Sequence, residues 1–375
     1  MTTLLVTNDF PPTVGGIQSY LRDFAAEVVA REGADSIVVF ASTQDAREAA
    51  AFDAEQPYTV VRWPRNVMLP TPATARRMSE LIADYGIDTV WFGAAAPLGL
   101  LGAAAKRAGA RRVVATTHGH EVGWSMLPGA RQALRRIGNS ADVVTYISEY
   151  TLRRLRPAFG AGPEYVALPS GVDVGYFRPV DKQRRSATRD LLGVGEAPLV
   201  VCASRLVARK GQDQLIRALP TVRERVPGAQ LVIVGDGPYR GRLQRMARGV
   251  DGVHFTGKVE RDLLRDIVAS ADVFAMPART RGGGLDVEGL GIVYLEAQAC
   301  EVPVIAGTSG GAPETVTPET GVVVGGRDTA GLADALSRLL DHAPSNRMGS
   351  AGRAHVASNY SWSVLGDRLV DALRA

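Results

Sequence analysis

Cysteine is nearly absent from this sequence. Cys202 and Cys300 are the only two in 375 residues, and both lie in apolar surroundings with strand or helix character. No disulfide framework can be built from them, so two buried thiols in a reducing compartment are expected. Long apolar runs are also missing: none reaches the roughly 18 residues that a membrane-spanning helix needs. The opening Met1-Thr2-Thr3-Leu4-Leu5-Val6 has the character of a strand and lacks the layout of a secretory leader. Lysine is scarce. Nearly all of the positive charge is Arg, which suits phosphate recognition. A formal net charge of +4, from 43 Lys and Arg against 39 Asp and Glu, is too small to argue for a nucleic-acid partner, and no aromatic-interleaved basic surface is found. The G-x-G-x-x-G fingerprint is absent, which argues against a standard NAD site. There is no short internal repeat and no low-complexity tract.

What remains is a globular composition, 46% hydrophobic and 22% charged. The chain is long for one core, so two domains are expected. Short apolar runs alternate with helical patterns from end to end, the signature of α/β units with parallel sheets. In the first half the runs are Leu4–Thr7, Ser36–Ala41, Thr59–Arg62, Thr89–Phe92, Val113–Thr117, Val143–Ile147 and Tyr165–Leu168. In the second half they are Leu199–Ala203, Gln230–Val234, Val253–Thr256, Val273–Met276, Val304–Ala306 and Gly321–Val324. Each set reads as one doubly wound, Rossmann-like domain. The Gly- and Pro-rich stretch from Pro169 to Pro179 marks the seam, which gives a first domain over 1–176 and a second over 177–358. A short amphipathic helix over 359–375 is expected to cross back to the first domain. Two such domains facing each other would form a cleft, with ligands at the carboxyl ends of the strands.

Five places could carry chemistry. Glu288-Gly289-Leu290-Gly291-Ile292 leads into a helix that carries Glu296, eight positions beyond Glu288. A turn entering a helix offers amides to a phosphate, and carboxylates accept from sugar hydroxyls. The stretch therefore suits a nucleotide-sugar, with Glu288 for the sugar, the amides of Gly289 to Ile292 for the diphosphate and Glu296 for the ribose. Gly15 and Gly16 open a helix after the first strand and its loop, where a ligand could approach the backbone closely. His118 ends a strand run, where imidazole could meet a sugar hydroxyl, while His120 and Glu121 brace its loop. In Ser204-Arg205-Leu206-Val207-Ala208-Arg209-Lys210, the cations Arg205 and Lys210 could neutralise a diphosphate leaving group, with Arg209 as the solvated member. Gly235-Asp236-Gly237 could line a nucleotide pocket or merely reverse the chain, and Val259 could pack against a base. Asp286 and Glu288 form a D-x-E, but no second carboxylate cluster completes an oxygen cage. No metal site is expected, either there or at His118-Gly119-His120-Glu121.

These motifs, in this order, resemble the retaining family-4 glycosyltransferases of GT-B fold, and the resemblance covers nearly the whole chain. Thr7-Asn8-Asp9-Phe10-Pro11-Pro12, Trp91-Phe92-Gly93, His118-Gly119-His120-Glu121-Val122-Gly123-Trp124 and Asp286-Val287-Glu288-Gly289-Leu290-Gly291 look like the actinobacterial branch that mannosylates phosphatidylinositol mannosides. The resemblance implies GDP-mannose as donor, phosphatidylinositol monomannoside as acceptor and an α-1,6 link; with Arg205 and Lys210 already supplying positive charge, no metal or other cofactor is expected. It also implies that Arg205 and Lys210 hold the diphosphate, that His118 meets the donor sugar, and that Gly16 lets donor and acceptor meet. The expected location is cytoplasmic, peripheral on the inner face of the plasma membrane.

A lipid acceptor requires a membrane-facing surface. No acid occurs between Glu55 and Glu80, where Arg62, Trp63, Arg65, Arg76 and Arg77 are candidates for contact with an anionic membrane. A second acid-free stretch, Val122 to Ala141, carries Trp124, Met126 and Leu127 beside Arg131, Arg135 and Arg136. The rival readings are a family-4 enzyme with another nucleotide-sugar or glycolipid acceptor, a nucleotide-sugar epimerase of the same fold, and a non-catalytic binding module. The last has no need for leaving-group cations.

Overall fold

The computed structural model describes residues 1–341 and 345–374. His342, Ala343, Pro344 and Ala375, which the second and third expected segments include, lie outside the described residues. The chain divides into two compact units, Met1–Gly171 with Trp362–Ala375, and Val172–Ser361.

The first unit is built on seven parallel strands: β1 (Thr3–Thr7), β2 (Ile37–Ser42), β3 (Thr59–Trp63), β4 (Thr89–Phe92), β5 (Arg112–Thr116), β6 (Val143–Tyr146) and β7 (Glu164–Ala167). Their order is β3-β2-β1-β4-β5-β6-β7. The second unit has six: β8 (Leu199–Ala203), β9 (Gln230–Val234), β10 (Val253–Gly257), β11 (Val273–Met276), β12 (Val304–Gly307) and β13 (Gly321–Val324), in the order β10-β9-β8-β11-β12-β13. Every run named from the sequence is a strand, with its ends shifted by no more than a residue. Ser36, for instance, falls in a 3-10 turn, and β2 starts at Ile37. The reason is burial. Central strands such as Leu199-Val200-Val201-Cys202-Ala203 and Val273-Phe274-Ala275-Met276 are buried at every position, so they read as unbroken apolar runs. The edge strands β3 and β10 are only partly buried and carry Arg62 and His254.

Both faces of the first sheet are packed. On one face Leu4, Val6, Phe40, Phe92 and Leu134 form a core. On the other, Leu5, Val39, Trp91, Tyr20 and Phe24 pack with Leu365, Leu369 and Leu373 of the last helix, Trp362–Leu373. That helix is tied to the first unit by Arg31 to Asp367 at 2.6 Å, by Thr89 Oγ1 to the Leu373 carbonyl and by Arg112 Nε to the Ala372 carbonyl, both at 2.8 Å. The structure divides the chain at Gly171 and Val172, five residues before the seam placed from the sequence, because Val172 pairs with Ser361 and joins the second core. Cys202 and Cys300 are free and buried, and burial pushes both thiols up to about 12.

Each sheet has one point where strand order reverses, between β1 and β4 in the first unit and between β8 and β11 in the second. Open α/β sheets bind ligands at the carboxyl ends of strands beside such points.

Candidate active site

In the second unit, Lys210 follows β8 and Glu288 follows β11, so the two strands at the reversal point bring them together. Lys210 Nζ lies 2.6 Å from Glu288 Oε2. The side chains are nearly closed off, at 9% and 7% exposure for the residues. Oε2 forms no oriented hydrogen bond, so the contact is an ion pair held by charge rather than by alignment.

The main chain of Glu288 is fixed on both sides. Its N–H donates to Ser309 Oγ at 3.2 Å, and its carbonyl accepts from Gly311 N–H at 3.0 Å. Gly310 has φ +56°, and a Cβ there would lie 1.9 Å from the Glu288 carbonyl oxygen, so this loop requires glycine. The following helix, Ile292–Ala299, starts from Gly291 at φ +90°, where a Cβ would strike the Tyr294 ring. Tyr294 in turn anchors the helix to the end of β11 through a 2.5 Å hydrogen bond to the Met276 carbonyl.

A cavity of about 250 Å³ opens on the same side of the sheet, lined by Ala203, Ser204, Val234, Gly235, Lys258, Val259, Leu264, Val268, Val293 and Glu296. Its wall is mostly apolar, with one carboxylate, the combination that suits a heterocyclic base with a ribose beside it. Gly235 both turns the chain, at φ +121°, and lines this cavity, so the two readings of that turn coincide. Burial pushes the Glu296 carboxyl up to about 7, partly offset by Arg261.

One expectation is reversed here. Arg209 is not the solvated cation: its Nη1 bonds Asp286 Oδ1 at 3.2 Å, and its Nε lies 3.8 Å from Glu288 Oε2. Arg205 is the exposed one, and among the described residues it has no carboxylate partner. Sequence reasoning missed Arg209 because adjacent residues in a basic loop carry no periodic signal of burial. It also weighed Asp286 only as a metal ligand. Ala203, Leu264, Val268 and Val293 were missed as cavity wall because they read as ordinary core.

In the first unit, Gly15 and Gly16 follow β1 and start the helix Gly16–Glu32. A Cβ on Gly16 would meet nothing within 4 Å. Nothing inside the protein therefore demands glycine there. His118 lies just beyond β5, half-buried, with its ring edge-on to Tyr20 at 4.9 Å. His118 Nε2 is 2.7 Å from the carbonyl of Gly93, which follows β4. A carbonyl only accepts, so this contact places the proton on Nε2 and leaves Nδ1 as an acceptor. Burial holds the imidazole pKa below its ordinary value, against the pull of Glu121, and keeps the ring neutral. Glu121 is completely buried, and its Oε2 accepts the N–H groups of His118 and Gly119 at 3.1 and 3.0 Å. It braces the loop. Among the described residues, no group of three His, Cys, Asp or Glu side chains is placed to hold a metal ion.

The basic stretch over 62–77 is largely not a surface patch. Arg62 holds Asp53 through two nitrogens, donates to the carbonyls of Pro11 and Ser42, and covers the Phe10 ring. Its side chain is 13% exposed, so it is an internal strut. Trp63 packs edge-on against Phe40, and Arg77 pairs with Glu80. Only Arg65 and Arg76 are exposed without a carboxylate partner among the described residues. In the second stretch Met126 and Leu127 are exposed at 49% and 62%, and Arg131, Arg135 and Arg136 are exposed with them.

Residues 14–176 match the Glycosyltransferase Family 4 domain and residues 197–342 match Glycosyl transferases group 1. The chain belongs to the family-4 glycosyltransferases, and its two Rossmann-like units are those of the GT-B fold. A curated relative from Corynebacterium glutamicum, a GDP-mannose-dependent monoacylated alpha-(1-6)-phosphatidylinositol monomannoside mannosyltransferase, is 60% identical over 100% of this chain and 98% of its own length. Its counterpart in Mycolicibacterium smegmatis is 55% identical over 99% and 97%. Among solved structures, Anabaena Alr3699/HepE in complex with UDP superposes with a TM-score of 0.80 at 20% identity, covering 100% of this chain and 99% of that one. At that identity it speaks for the fold alone.

Proposed function

We propose that this protein transfers mannose from GDP-mannose to phosphatidylinositol monomannoside, forming an α-1,6 bond. The observation that carries the reading is full-length identity of 60% and 55% to enzymes with that activity, on a chain whose second unit pairs a closed-off Lys210–Glu288 site with an apolar cavity ending in Glu296.

In this reading the base and ribose occupy the cavity, with Val259 against the base and Glu296 accepting from the ribose. The diphosphate lies toward Arg205, Lys210 and the turn Gly289-Leu290-Gly291-Ile292. Glu288 takes a sugar hydroxyl on Oε1, since Oε2 faces the cations Lys210 and Arg209. As the sugar–phosphate bond breaks, negative charge grows on the departing diphosphate, and Arg205 and Lys210 stabilise it where it forms. The sugar's electron-poor carbon is attacked from the face the diphosphate leaves, and the diphosphate accepts the acceptor's proton, so configuration is retained. His118 Nδ1 accepts from a donor-sugar hydroxyl, and the open space at Gly16 admits the reacting groups. The cations supply the charge that a divalent metal supplies in other transferases, and the reaction is proposed to proceed without one.

The anionic membrane surface remains a partner in this reading, with peripheral location on the inner face of the plasma membrane. Among the described residues no helix is long and apolar enough to cross a membrane. The contact is reassigned from Arg62, Trp63 and Arg77 to Arg65, Arg76 and the segment with Met126, Leu127, Arg131, Arg135 and Arg136. The test is mannose transfer in vesicles containing phosphatidylinositol monomannoside, with and without chelator. A dimannosylated lipid in both conditions supports donor, acceptor and metal independence. Product only without chelator refutes metal independence, and no product with this pair refutes the substrate assignment.

A further inference from the structure

Lys210 has two claims on it. In the structure its ammonium sits 2.6 Å from Glu288 Oε2, and in the proposed reaction it must face the donor's diphosphate. If it turned away alone, a nearly buried carboxylate would lose its counter-ion, which is strongly unfavourable. We propose that Arg209 is the reserve counter-ion of Glu288, closing on the carboxylate as Lys210 turns to the diphosphate. The inference rests on the reading of Lys210 as a diphosphate ligand.

The geometry supplies the parts. Arg209 Nε is buried without a hydrogen-bond partner, and Glu288 Oε2 is met by the Lys210 ammonium alone, without an oriented hydrogen bond. The two lie 3.8 Å apart, within ion-pair range and beyond hydrogen-bond range. Buried polar atoms left unmet are rare and call for a physical reason. Here a donor and an acceptor that match are held about an ångström too far apart, and the carboxylate is occupied on that same oxygen by Lys210.

Arg209 is anchored at both ends of its length. Its Nη1 holds Asp286 Oδ1 at 3.2 Å, and its carbonyl accepts from Arg279 N–H at 2.8 Å. Arg279 in turn grips Asp213 at 2.7 Å. The guanidinium fork can keep Asp286 on one nitrogen while Nε moves onto Glu288, which an ammonium could not do. The main chain of Glu288 stays in place, held by Ser309 and Gly311. Arg205 needs no such exchange, being exposed and unpaired among the described residues. Arg209 is thus a positioning residue, acting through Glu288.

The test is calorimetric binding of GDP to the full chain, which needs no turnover. The variants are Arg209→Met, Arg209→Lys, Glu288→Gln and the Arg209→Met/Glu288→Gln double variant, with Lys210→Ala as control. Arg209→Met should weaken GDP roughly tenfold, because Lys210 stays bound to Glu288, and Arg209→Lys should recover part of it. Glu288→Gln should bind GDP at least as tightly as wild type, and adding Arg209→Met to it should change nothing further. An equal loss from Arg209→Met in both backgrounds would mean that Arg209 touches phosphate directly and would overturn the exchange. No loss in either background would overturn it as well. If Lys210→Ala binds GDP like wild type, the underlying reading of Lys210 fails, independently of Arg209.

Discussion

The two units share a topology and place their special residues at the same point of it, yet they fill that point with opposite chemistry. At the reversal between β8 and β11, Arg205, Arg209, Lys210, Arg279 and Arg281 outnumber Asp213, Asp286 and Glu288. Around the reversal between β1 and β4 there are a neutral imidazole reaching in from beyond β5, a backbone carbonyl and glycines, with the carboxylates of Asp9 and Glu121 engaged by the Gln18 amide and by the N–H groups of His118 and Gly119. One sheet carries a cluster dominated by cations, the other a cluster dominated by neutral hydrogen-bonding groups. The fold supplies the location, at the strand ends, and the loop residues supply the chemistry.

This contrast can be broken by substitution. The largest effect is expected in the charged half: Lys210→Ala should lower kcat by about 10²–10³-fold, as for loss of one preorganised charge-stabilising donor. A loss under tenfold in steady-state mannose transfer would place the leaving-group charge elsewhere. In the neutral half, His118→Asn should lower kcat/KM by roughly tenfold to a hundredfold with GDP binding unchanged, since its proposed partner is the sugar. Weakened GDP binding in that variant would erase the division of labour between the halves.

Gly16→Ala sharpens the comparison further. Its φ is not in the left-handed region and a Cβ would meet open space, so the thermal midpoint should move by no more than about 2 °C, while transfer falls severalfold. A large fall in midpoint would show that glycine is kept there for the fold. The smallest effect concerns Glu296. Its carboxyl is raised to about 7, so the folded protein holds this proton more tightly than the unfolded chain does. Glu296 therefore favours folding most at acid pH, and that contribution is lost as pH rises from about 4.5 to about 7. The difference in midpoint between wild type and Glu296→Gln should move against wild type across that window. GDP, donating ribose hydroxyls to the ionised carboxylate, should bind wild type more tightly as pH passes 7, relative to Glu296→Gln. A flat difference on either readout removes Glu296 from the cavity's chemistry.

How much of this was legible in the sequence follows from what kind of signal each residue leaves. The strands were legible because parallel strands covered on both faces become unbroken apolar runs, as in Leu199–Ala203. The places of Glu288, Lys210 and His118 beyond strand ends, and of Glu296 in the helix after a glycine turn, were legible because such positions are set by strand and turn signals in the sequence. Arg62 was misread because a count of charges cannot show that Asp53, nine positions earlier, lies against it across the end of β3. Arg209 was misread for a similar reason: its partners Asp286 and Glu288 come from a loop almost eighty residues away in sequence. Long-range ion pairing leaves no periodic trace, and it decides which arginines are free.

The most direct test of the account is mannose transfer from GDP-mannose to phosphatidylinositol monomannoside in lipid vesicles, wild type beside Lys210→Ala and His118→Asn, with GDP affinity measured on all three. Wild type should form an α-1,6-linked dimannoside. Lys210→Ala should lose both transfer and GDP affinity, and His118→Asn should lose transfer while keeping GDP affinity. No dimannoside from wild type, or GDP affinity that depends on His118 and not on Lys210, would contradict it.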